Sequence, residues 1–393
     1  MVGFFLTSVI LGITISRTNF CTMGAVSDWV NLNDRGRMGA WLLAIASAMV
    51  VVSLLEAVSL FELNQQRPPY RSATFAWLRY LVGGLMFGVG MTLAGGCVSR
   101  NLVRLGGGNI KSLITLIIAA VFAYFMTKTV FFEIAFYSWM HPLSIDLASI
   151  GIPAQDIGSI LSAIFPALSK PVVHVLIALA VGVAVIFFVA KTSGIQGNML
   201  NIVAGLMIGG CVTAGWYLTS GPLGLEWAEA AQWADNPPVG VGMQSFTFVN
   251  PLGEYISLVL EPGGLSTLLT VGMLAAAGLV IGSLAHSLVS RNFHVSWFAS
   301  FGDFTANAIG GVLMGVGGVL ALGCTIGQGV SGISTLALGS FITLAAIIYS
   351  CTATLKYQFY RLVYDDAKVS DVFVTTLVDI RLLPNTKRRL DPI

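Results

Sequence analysis

The cysteines are the residues of this chain with the most distinctive chemistry, and two of them end matched glycine-rich segments. Residues 83–97 read GGLMFGVGMTLAGGC and residues 310–324 read GGVLMGVGGVLALGC, with nine of fifteen positions identical. Such a pair in an apolar chain is typical of transporters built from internal repeats, whose site lies where broken helices of the two halves meet. The repeat makes Cys97 and Cys324 the leading candidates for a functional site.

A thiol in apolar surroundings stays protonated, and it is then a weak S–H donor on a soft, polarisable sulfur atom. Such a group can contact a soft anion without trapping it. The glycines just before the cysteines would let the helix break, and a broken helix offers backbone N–H groups and a positive dipole end to an anion. Together these features predict a path for a small sulfur-containing anion. The predicted path residues are Cys21, Cys97 and Cys324, the glycines Gly95, Gly96 and Gly323, and the neighbouring polar residues Asn19, Ser99, Thr325 and Gln328. Asn101 is a further polar residue beside Cys97.

Simpler roles for these residues stay open at this point. Glycines also serve close helix packing in membrane bundles, where small residues line most helix contacts. Free cysteine is among the most commonly buried residue types, so Cys211 and Cys351, which lie outside the repeat, are interpreted as ordinary buried residues.

The elements that must position these residues are membrane helices. The chain has 393 residues, of which 56% are hydrophobic and 10% charged, whereas a soluble domain has roughly 25% charged residues. This composition predicts an all-α integral membrane protein. Two of its apolar runs hold the glycine-rich repeats and are predicted to be broken or partly re-entrant. Runs long enough to cross a membrane of about 30 Å fall at 1–16, 38–61, 80–105, 112–132, 172–190, 199–218, 266–289, 305–333 and 335–356.

Composition also excludes several classes of function. A net charge of +2 gives no reason to expect a nucleic-acid partner. The cysteines and histidines show no CxxC pair and no metal-ligand spacing, so neither a metal nor another cofactor is expected. No nucleophile–base set, no paired carboxylates and no phosphate-binding loop occur, and the sequence therefore predicts a protein that is not an enzyme.

Lysine and arginine set the predicted orientation. No Lys or Arg lies between Lys191 and Arg291, and the loop 219–265 within this stretch is acidic, so that loop is predicted outside, whereas the basic tail is predicted in the cytoplasm. Nine crossings then place the N-terminus outside. Three arginines of the outer loop before the first glycine-rich segment break the rule, either because the rule is statistical or because they form a basic outer mouth that attracts anions. The residues assigned to mouth electrostatics are Arg67, Arg71, Arg79 and, on the inner side, Arg100.

The spacing of the repeat predicts that its two copies are inverted. The sequence SRTNFC at 16–21 is partly repeated as SRNFH at 290–294. In the first copy, a whole span lies between this motif and the glycine-rich segment. In the second copy, only about fifteen residues lie between them, which are too few to cross the membrane. The two segments therefore enter from opposite faces. The predicted organisation is one membrane domain, 1–361, followed by a cytoplasmic tail, 362–393, that is either docked or solvated. Within the membrane domain, the repeat halves lie at about 1–132 and 266–356. The residues between them, 133–265, form linking helices and external loops with short interfacial helices.

At these residues the sequence resembles the YeeE/YedE family of sulfur-compound transporters. The resemblance rests on SRTNFCTMGAVSDW (16–29), GGLMFGVGMTLAGGCVSRNLVR (83–104), AGWYLTSGPLG (214–224), SFTFVNPLG (245–253) and GGVLMGVGGVLALGCTIGQGVSGISTLALGS (310–340). It implies nine spans with short half-membrane helices in a bacterial inner membrane, and thiosulfate passed along Cys21, Cys97 and Cys324 by S–H contacts. It also implies a TusA-like sulfur-carrier protein as a partner on the cytoplasmic side.

Three alternatives remain beside thiosulfate import. The first is a membrane thiol enzyme, or sulfurtransferase, that accepts sulfane sulfur covalently; it would need a reactive cysteine near a cation, and Arg17 and Arg100 are the only cations nearby. The second is a transporter of a selenium compound or another sulfur anion, since no side chain here encodes that choice. The third is a channel for neutral solutes that shares only the plan of opposed half-helices.

Overall fold

The computed structural model describes residues 1–63, 66–165, 169–191, 199–233, 240–260 and 269–391. The start of the predicted span 266–289, parts of the predicted loops 133–170 and 219–265, and the last two residues of the tail lie outside the described residues. The helices are α1 (Val2–Thr18), α2 (Thr22–Leu32), α3 (Gly36–Ala57), α4 (Trp77–Leu93), α5 (Val98–Gly106), α6 (Ile110–Lys128), α7 (Ile157–Ile164), α8 (Lys170–Lys191), α9 (Met199–Ser220), α10 (Pro222–Gln232), α11 (Val249–Leu260), α12 (Val271–Val289), α13 (Phe301–Leu320), α14 (Leu338–Val363) and α15 (Val369–Asp379). Two short strands, β1 (Thr74–Phe75) and β2 (Ile145–Asp146), pair antiparallel.

Nine described helical segments are long and apolar enough to cross a membrane, which confirms the predicted all-α membrane fold. The segment at 77–106 is interrupted, as predicted, because α4 ends at Leu93 and α5 begins at Val98. The last glycine-rich stretch is interrupted in the same way, because α13 ends at Leu320 and a further helix runs over 325–334, with a π-helical turn at Gly327–Gly332. The first span is broken as well, between α1 and α2, which the sequence did not predict.

The two glycine-rich helices α4 and α13 cross each other in direct backbone contact. A Cβ atom placed on Gly83 would lie 2.8 Å from the carbonyl oxygen of Gly317, and one placed on Gly90 would lie 2.8 Å from that of Gly310. The early residue of each helix therefore meets the late residue of the other, so the helices run antiparallel. Because Gly83 corresponds to Gly310 in the repeat and Gly90 to Gly317, exchange of the two copies maps one contact onto the other.

Each glycine-rich helix also packs on the long helix that follows the other copy. Gly84 and Gly88 of α4 lie against the backbone of α14 at Thr343 and Ile347, and the equivalent glycines of α13 lie against α6. Contacts of this kind agree with the packing of small residues that membrane helices use in place of the hydrophobic effect. The inversion of the whole repeat stays a prediction.

Three short helices lie within the segments predicted as external loops, 133–170 and 219–265. Asp156 caps α7 by accepting from the Ser159 amide at 2.9 Å, and a proline opens α10. Both devices are usual at helix starts. In contrast to the predicted interfacial position, α11 packs against α6, α12 and α13, and Gly253 contacts the backbone of α6 at Tyr124.

The tail folds back on the last span. Helix α15 packs on α14, and its last residue, Asp379, accepts from Lys356 at 3.2 Å and from the Tyr360 hydroxyl at 2.9 Å, with a further bond from Arg388. Burial raises the pKa of Asp379, but these hydrogen bonds outweigh it and hold the pKa below its usual range. Of the two arrangements considered for the tail, the structure has the docked one.

Candidate functional site

Each of the three candidate cysteines is the residue at which a helix starts. Cys21 precedes α2, Cys97 precedes α5, and Cys324 precedes the helix at 325–334. Their carbonyl oxygens accept the first helical hydrogen bonds: from the amide of Ala25 at 2.9 Å, of Asn101 at 2.9 Å and of Gln328 at 2.7 Å. The helices after the breaks thus start at a thiol, where their amide groups are still unpaired and their dipoles are positive.

The breaks before Cys97 and Cys324 have the same backbone geometry. The amide of Gly96 donates to Met91 at 2.8 Å, and the equivalent amide of Gly323 donates to Gly318 at 2.8 Å, so both helices end in a Schellman-type turn. Such a turn needs one residue in the left-handed region, which is Gly95 (φ 66°) in the first copy and Leu322 (φ 62°) in the second. A side chain in that conformation costs roughly 1–2 kcal/mol, which the rest of the structure must offset.

All five cysteines are buried and unpaired by disulfides. The Cys324 thiol lies against three backbone N–H groups, those of Ile326, Gly327 and Phe248, with the amide of Gly327 at 3.4 Å from Sγ. The Cys97 thiol contacts the Ser99 hydroxyl at 3.2 Å.

The three thiols also lie near one another. The thiols of Cys21 and Cys324 are both within electrostatic range of Cys97. Cys351 is also within electrostatic range of Cys97, so the structure brings the three predicted thiols and Cys351 into one buried region.

The polar residues predicted beside the cysteines have unequal positions. Asn101 donates to the carbonyl of Gly96 at 2.8 Å, and the equivalent Gln328 donates to that of Ala321, so both amides hold the turns in place. The Gln328 side chain is fully engaged, because its oxygen accepts from Ser340 at 2.5 Å. By contrast, the hydroxyl of Thr325 is buried and has no hydrogen-bond partner among the described residues. Thr325 therefore differs from Asn101 and Gln328, whose side chains bind the backbone of the turns.

Asn19 and Arg100 connect the first two breaks. The Arg100 guanidinium donates to the Asn19 side chain at 2.9 Å, which ties the α1–α2 turn to α5. Both residues line a cavity of about 370 Å³. A neighbouring cavity of about 330 Å³ reaches Gly95, and Arg104 lines both. This basic side of the protein is the side predicted to face the cytoplasm.

Two further cavities approach the second break, and both are lined by Leu322. Arg79 lines one of about 240 Å³, and Arg67 lines the other, of about 260 Å³. Arg71 differs from its predicted place at a mouth, because it is buried and bound at both nitrogens to the Glu56 carboxylate, at 2.5 and 2.9 Å. Its charge is already neutralised. Of the three outer arginines, Arg67 and Arg79 line cavities, and their position at an outer mouth stays a prediction.

A buried charged cluster that sequence reasoning missed extends from this ion pair. His174 lies between two carboxylates, with Nε2 at 2.8 Å from Asp156 and Nδ1 at 3.3 Å from Glu56. Lys170 approaches Asp156 at 3.3 Å. Burial raises the pKa of Asp156, but the hydrogen bond with His174 and the nearby cations outweigh it and lower that pKa.

This charged cluster holds the far end of the helix that starts at Cys324. Arg71 donates through Nε to the carbonyl of Thr335 at 2.9 Å, and the amide of Ile157 donates to that of Leu336 at 3.0 Å. The sequence did contain a signal for this cluster, because Glu56 and His174 are ionisable residues within long apolar spans, where such residues are rarely without a role. Among the described residues, no group of three His, Cys, Asp or Glu side chains could hold a metal ion.

Comparison with known proteins gives a consistent result. The family described as sulphur transport matches residues 17–353. The thiosulfate transporter TsuA of Escherichia coli (strain K12) is 25% identical over 334 residues, which cover 81% of this chain and 84% of the relative. The protein of the same name from Spirochaeta thermophila is 26% identical over 356 residues, covering 88% and 94%. Family and relatives are described as transporters and not as enzymes, and the predicted resemblance is confirmed: this chain belongs to the sulphur transport family.

Proposed function

We propose that this protein imports thiosulfate across the bacterial inner membrane along a path lined by Cys21, Cys97 and Cys324. The observation that carries the proposal is the convergence of three helix starts, each with a cysteine at its first position, in one buried region. The names of the two relatives support thiosulfate as the substrate.

The chemistry of this region suits an anion with a soft sulfur end. A helix N-terminus carries about half a positive charge and unpaired N–H groups, which attract the oxygen end. The neutral thiols offer weak S–H contacts to the terminal sulfur. Because none of the three cysteines adds a formal charge, the anion is attracted at each step and is not held there.

The arrangement of the cavities supports passage from one face to the other. Leu322, in the turn before Cys324, lines two cavities, and Gly95, in the equivalent turn before Cys97, lines another. The antiparallel contact of α4 and α13 supports an inverted repeat, in which the two breaks are reached from opposite faces. In this orientation the N-terminus is outside, and the basic cavity beside Arg100 and the tail are cytoplasmic. A TusA-like carrier could collect the imported sulfur at that face.

The thiosulfate dianion enters a cell against the membrane potential. Moving two negative charges inward costs about 4.6 kcal/mol per 100 mV. Uptake to useful levels therefore requires either rapid consumption inside or coupling to a cation.

Uptake of labelled thiosulfate in cells that lack other thiosulfate routes tests the function. Cells that produce this protein should accumulate label, and sulfate, sulfite and selenite in excess should compete less well than thiosulfate. Equal accumulation with and without the protein would overturn transport. Stronger competition by selenite than by thiosulfate would instead favour a selenium substrate.

A further inference from the structure

The cavity beside Arg67 has features that none of the path residues explains. It has a volume of about 260 Å³ and is lined by Arg67, Thr247, Asn250, Glu254, Thr270 and Leu322, among others. At roughly 30 Å³ per water molecule, it can hold a small anion together with several waters. Leu322 belongs to the turn before Cys324, so this cavity is in contact with the second break.

Thr247 lines this cavity and carries an unused hydrogen-bond donor. The residue is 5% exposed, and its hydroxyl is buried without a partner among the described residues. The hydroxyl lies 2.6 Å from where a Cβ atom of Gly327 would be, three residues after Cys324. The next residue, Phe248, directs its amide at the Cys324 thiol. Thr247 therefore stands between the cavity and the Cys324 helix start, as a donor without an acceptor.

Glu254 places a carboxylate in the same cavity. Its Oε2 accepts from the Thr270 hydroxyl, and the charged or titratable groups within range are Arg67, Lys128 and Tyr255. Burial raises the pKa of Glu254, and the Thr270 bond, Lys128 and Arg67 offset this only in part. A carboxylate and an anion in one cavity of this size repel each other, and taking up a proton on Glu254 removes the repulsion.

We propose that this cavity is a proton-linked anion site, in which an entering dianion is held by Arg67, and by the Thr247 hydroxyl once that side chain turns toward the cavity, while Glu254 binds one proton from the outer solution. The step is a protonation only: the carboxylate becomes a carboxylic acid, and no bond to the anion forms. By linkage, an anion that favours protonated Glu254 binds more tightly as the pH falls, by up to about tenfold per pH unit above the pKa of this group. This inference rests on the proposed function, because it gives the imported anion an entry site.

Calorimetric titration of the purified full-length protein with thiosulfate tests the linkage. Heats measured in buffers of different ionisation enthalpy give the number of protons taken up per anion bound. The wild type should take up close to one proton at a pH between the pKa of Glu254 in the free protein and its higher pKa in the anion-bound protein. Glu254→Gln should take up none and should bind with an affinity that no longer depends on pH. Glu229→Gln, at an exposed position of α10, is the matched control and should behave as the wild type.

Absence of proton uptake in the wild type, or an unchanged uptake in Glu254→Gln, would overturn the inference. The wild-type measurement needs no variant, so it decides the question even if Glu254→Gln does not fold. Thr247→Val, which keeps the shape of the side chain, should weaken thiosulfate binding by roughly tenfold or more while leaving the proton count per bound anion unchanged. A wild type that imports thiosulfate in cells without proton uptake on binding would refute this site alone, whereas a wild type that imports none would refute the proposed function.

Discussion

The crossing of α4 and α13 sets the distance between the two cysteine-bearing breaks, and Gly83→Ala tests it. A Cβ atom at position 83 would lie 2.5 Å from the backbone nitrogen of Ala321 and 2.8 Å from the carbonyl of Gly317. These are backbone atoms, which cannot turn aside as a flexible side chain can. To reach ordinary van der Waals separation, the helices must move apart by roughly 1 Å. Because Ala321 begins the turn before Cys324, that movement displaces the thiol.

The expected magnitude follows from two opposing effects. Overpacking of this kind destabilises by about 1–3 kcal/mol or more, whereas replacing glycine by alanine within a helix gains up to about 1 kcal/mol. Gly83→Ala should therefore unfold at a lower temperature than the wild type in detergent, followed by tryptophan fluorescence, and should import less thiosulfate. Gly210→Ala is the control, because a Cβ atom there meets nothing within 4 Å; it should match or exceed the wild-type stability. Equal unfolding temperatures and equal uptake for the two variants would refute the packing argument.

Two further predictions concern charged groups away from the breaks. Arg71→Met should destabilise the protein by about 3–5 kcal/mol, because it leaves the buried Glu56 carboxylate without its arginine and with only the His174 ring, at 3.3 Å, beside it. Arg67→Gln at an exposed position should only raise the KM for uptake, most at low ionic strength. Thermal unfolding and uptake kinetics separate the two variants, and an unfolding temperature of Arg71→Met equal to that of Arg67→Gln would contradict the assignment. The pKa of Asp379 is lowered in the folded tail, so the ionised carboxylate stabilises docking of the tail. This stabilisation is fully present above the ordinary carboxyl pKa of about 3.9 and is lost as the pH falls through the lowered value. Asp379→Asn should therefore free the tail at neutral pH, seen as faster proteolysis within 381–389, and unchanged proteolysis would refute the docking role.

Much of this architecture is encoded locally. Runs of apolar residues of sufficient length predict nine spans, and nine are present among the described residues. Glycines followed by a cysteine predict the interruptions at Cys97 and Cys324, because local backbone freedom decides where a helix can break. The turn at Leu322 was harder to foresee, since leucine disfavours a positive φ; only alignment with Gly95 in the other copy marks it.

The parts that were missed depend on contacts between distant segments. Arg71 binds Glu56, fifteen residues earlier, and the carbonyl of Thr335, near the other end of the chain. Its burial therefore cannot be inferred from the charge pattern of one loop. Thr247 and Glu254 lie in a stretch that looked like an external loop, and only its packing places them beside the Cys324 break. The break at Cys21 was missed because the span before it has no glycine-rich signal of its own.

Transport of labelled thiosulfate into proteoliposomes by purified cysteine variants tests the central claim most directly. Cys97→Ala and Cys324→Ala remove the S–H groups at the two equivalent breaks, and Cys211→Ala removes a buried thiol of α9 outside the repeat. With equal amounts of folded protein in the vesicles, the first two variants should lose most of their uptake and the third should retain it. Uptake by Cys97→Ala and Cys324→Ala at the wild-type rate would contradict a path that depends on thiol contacts.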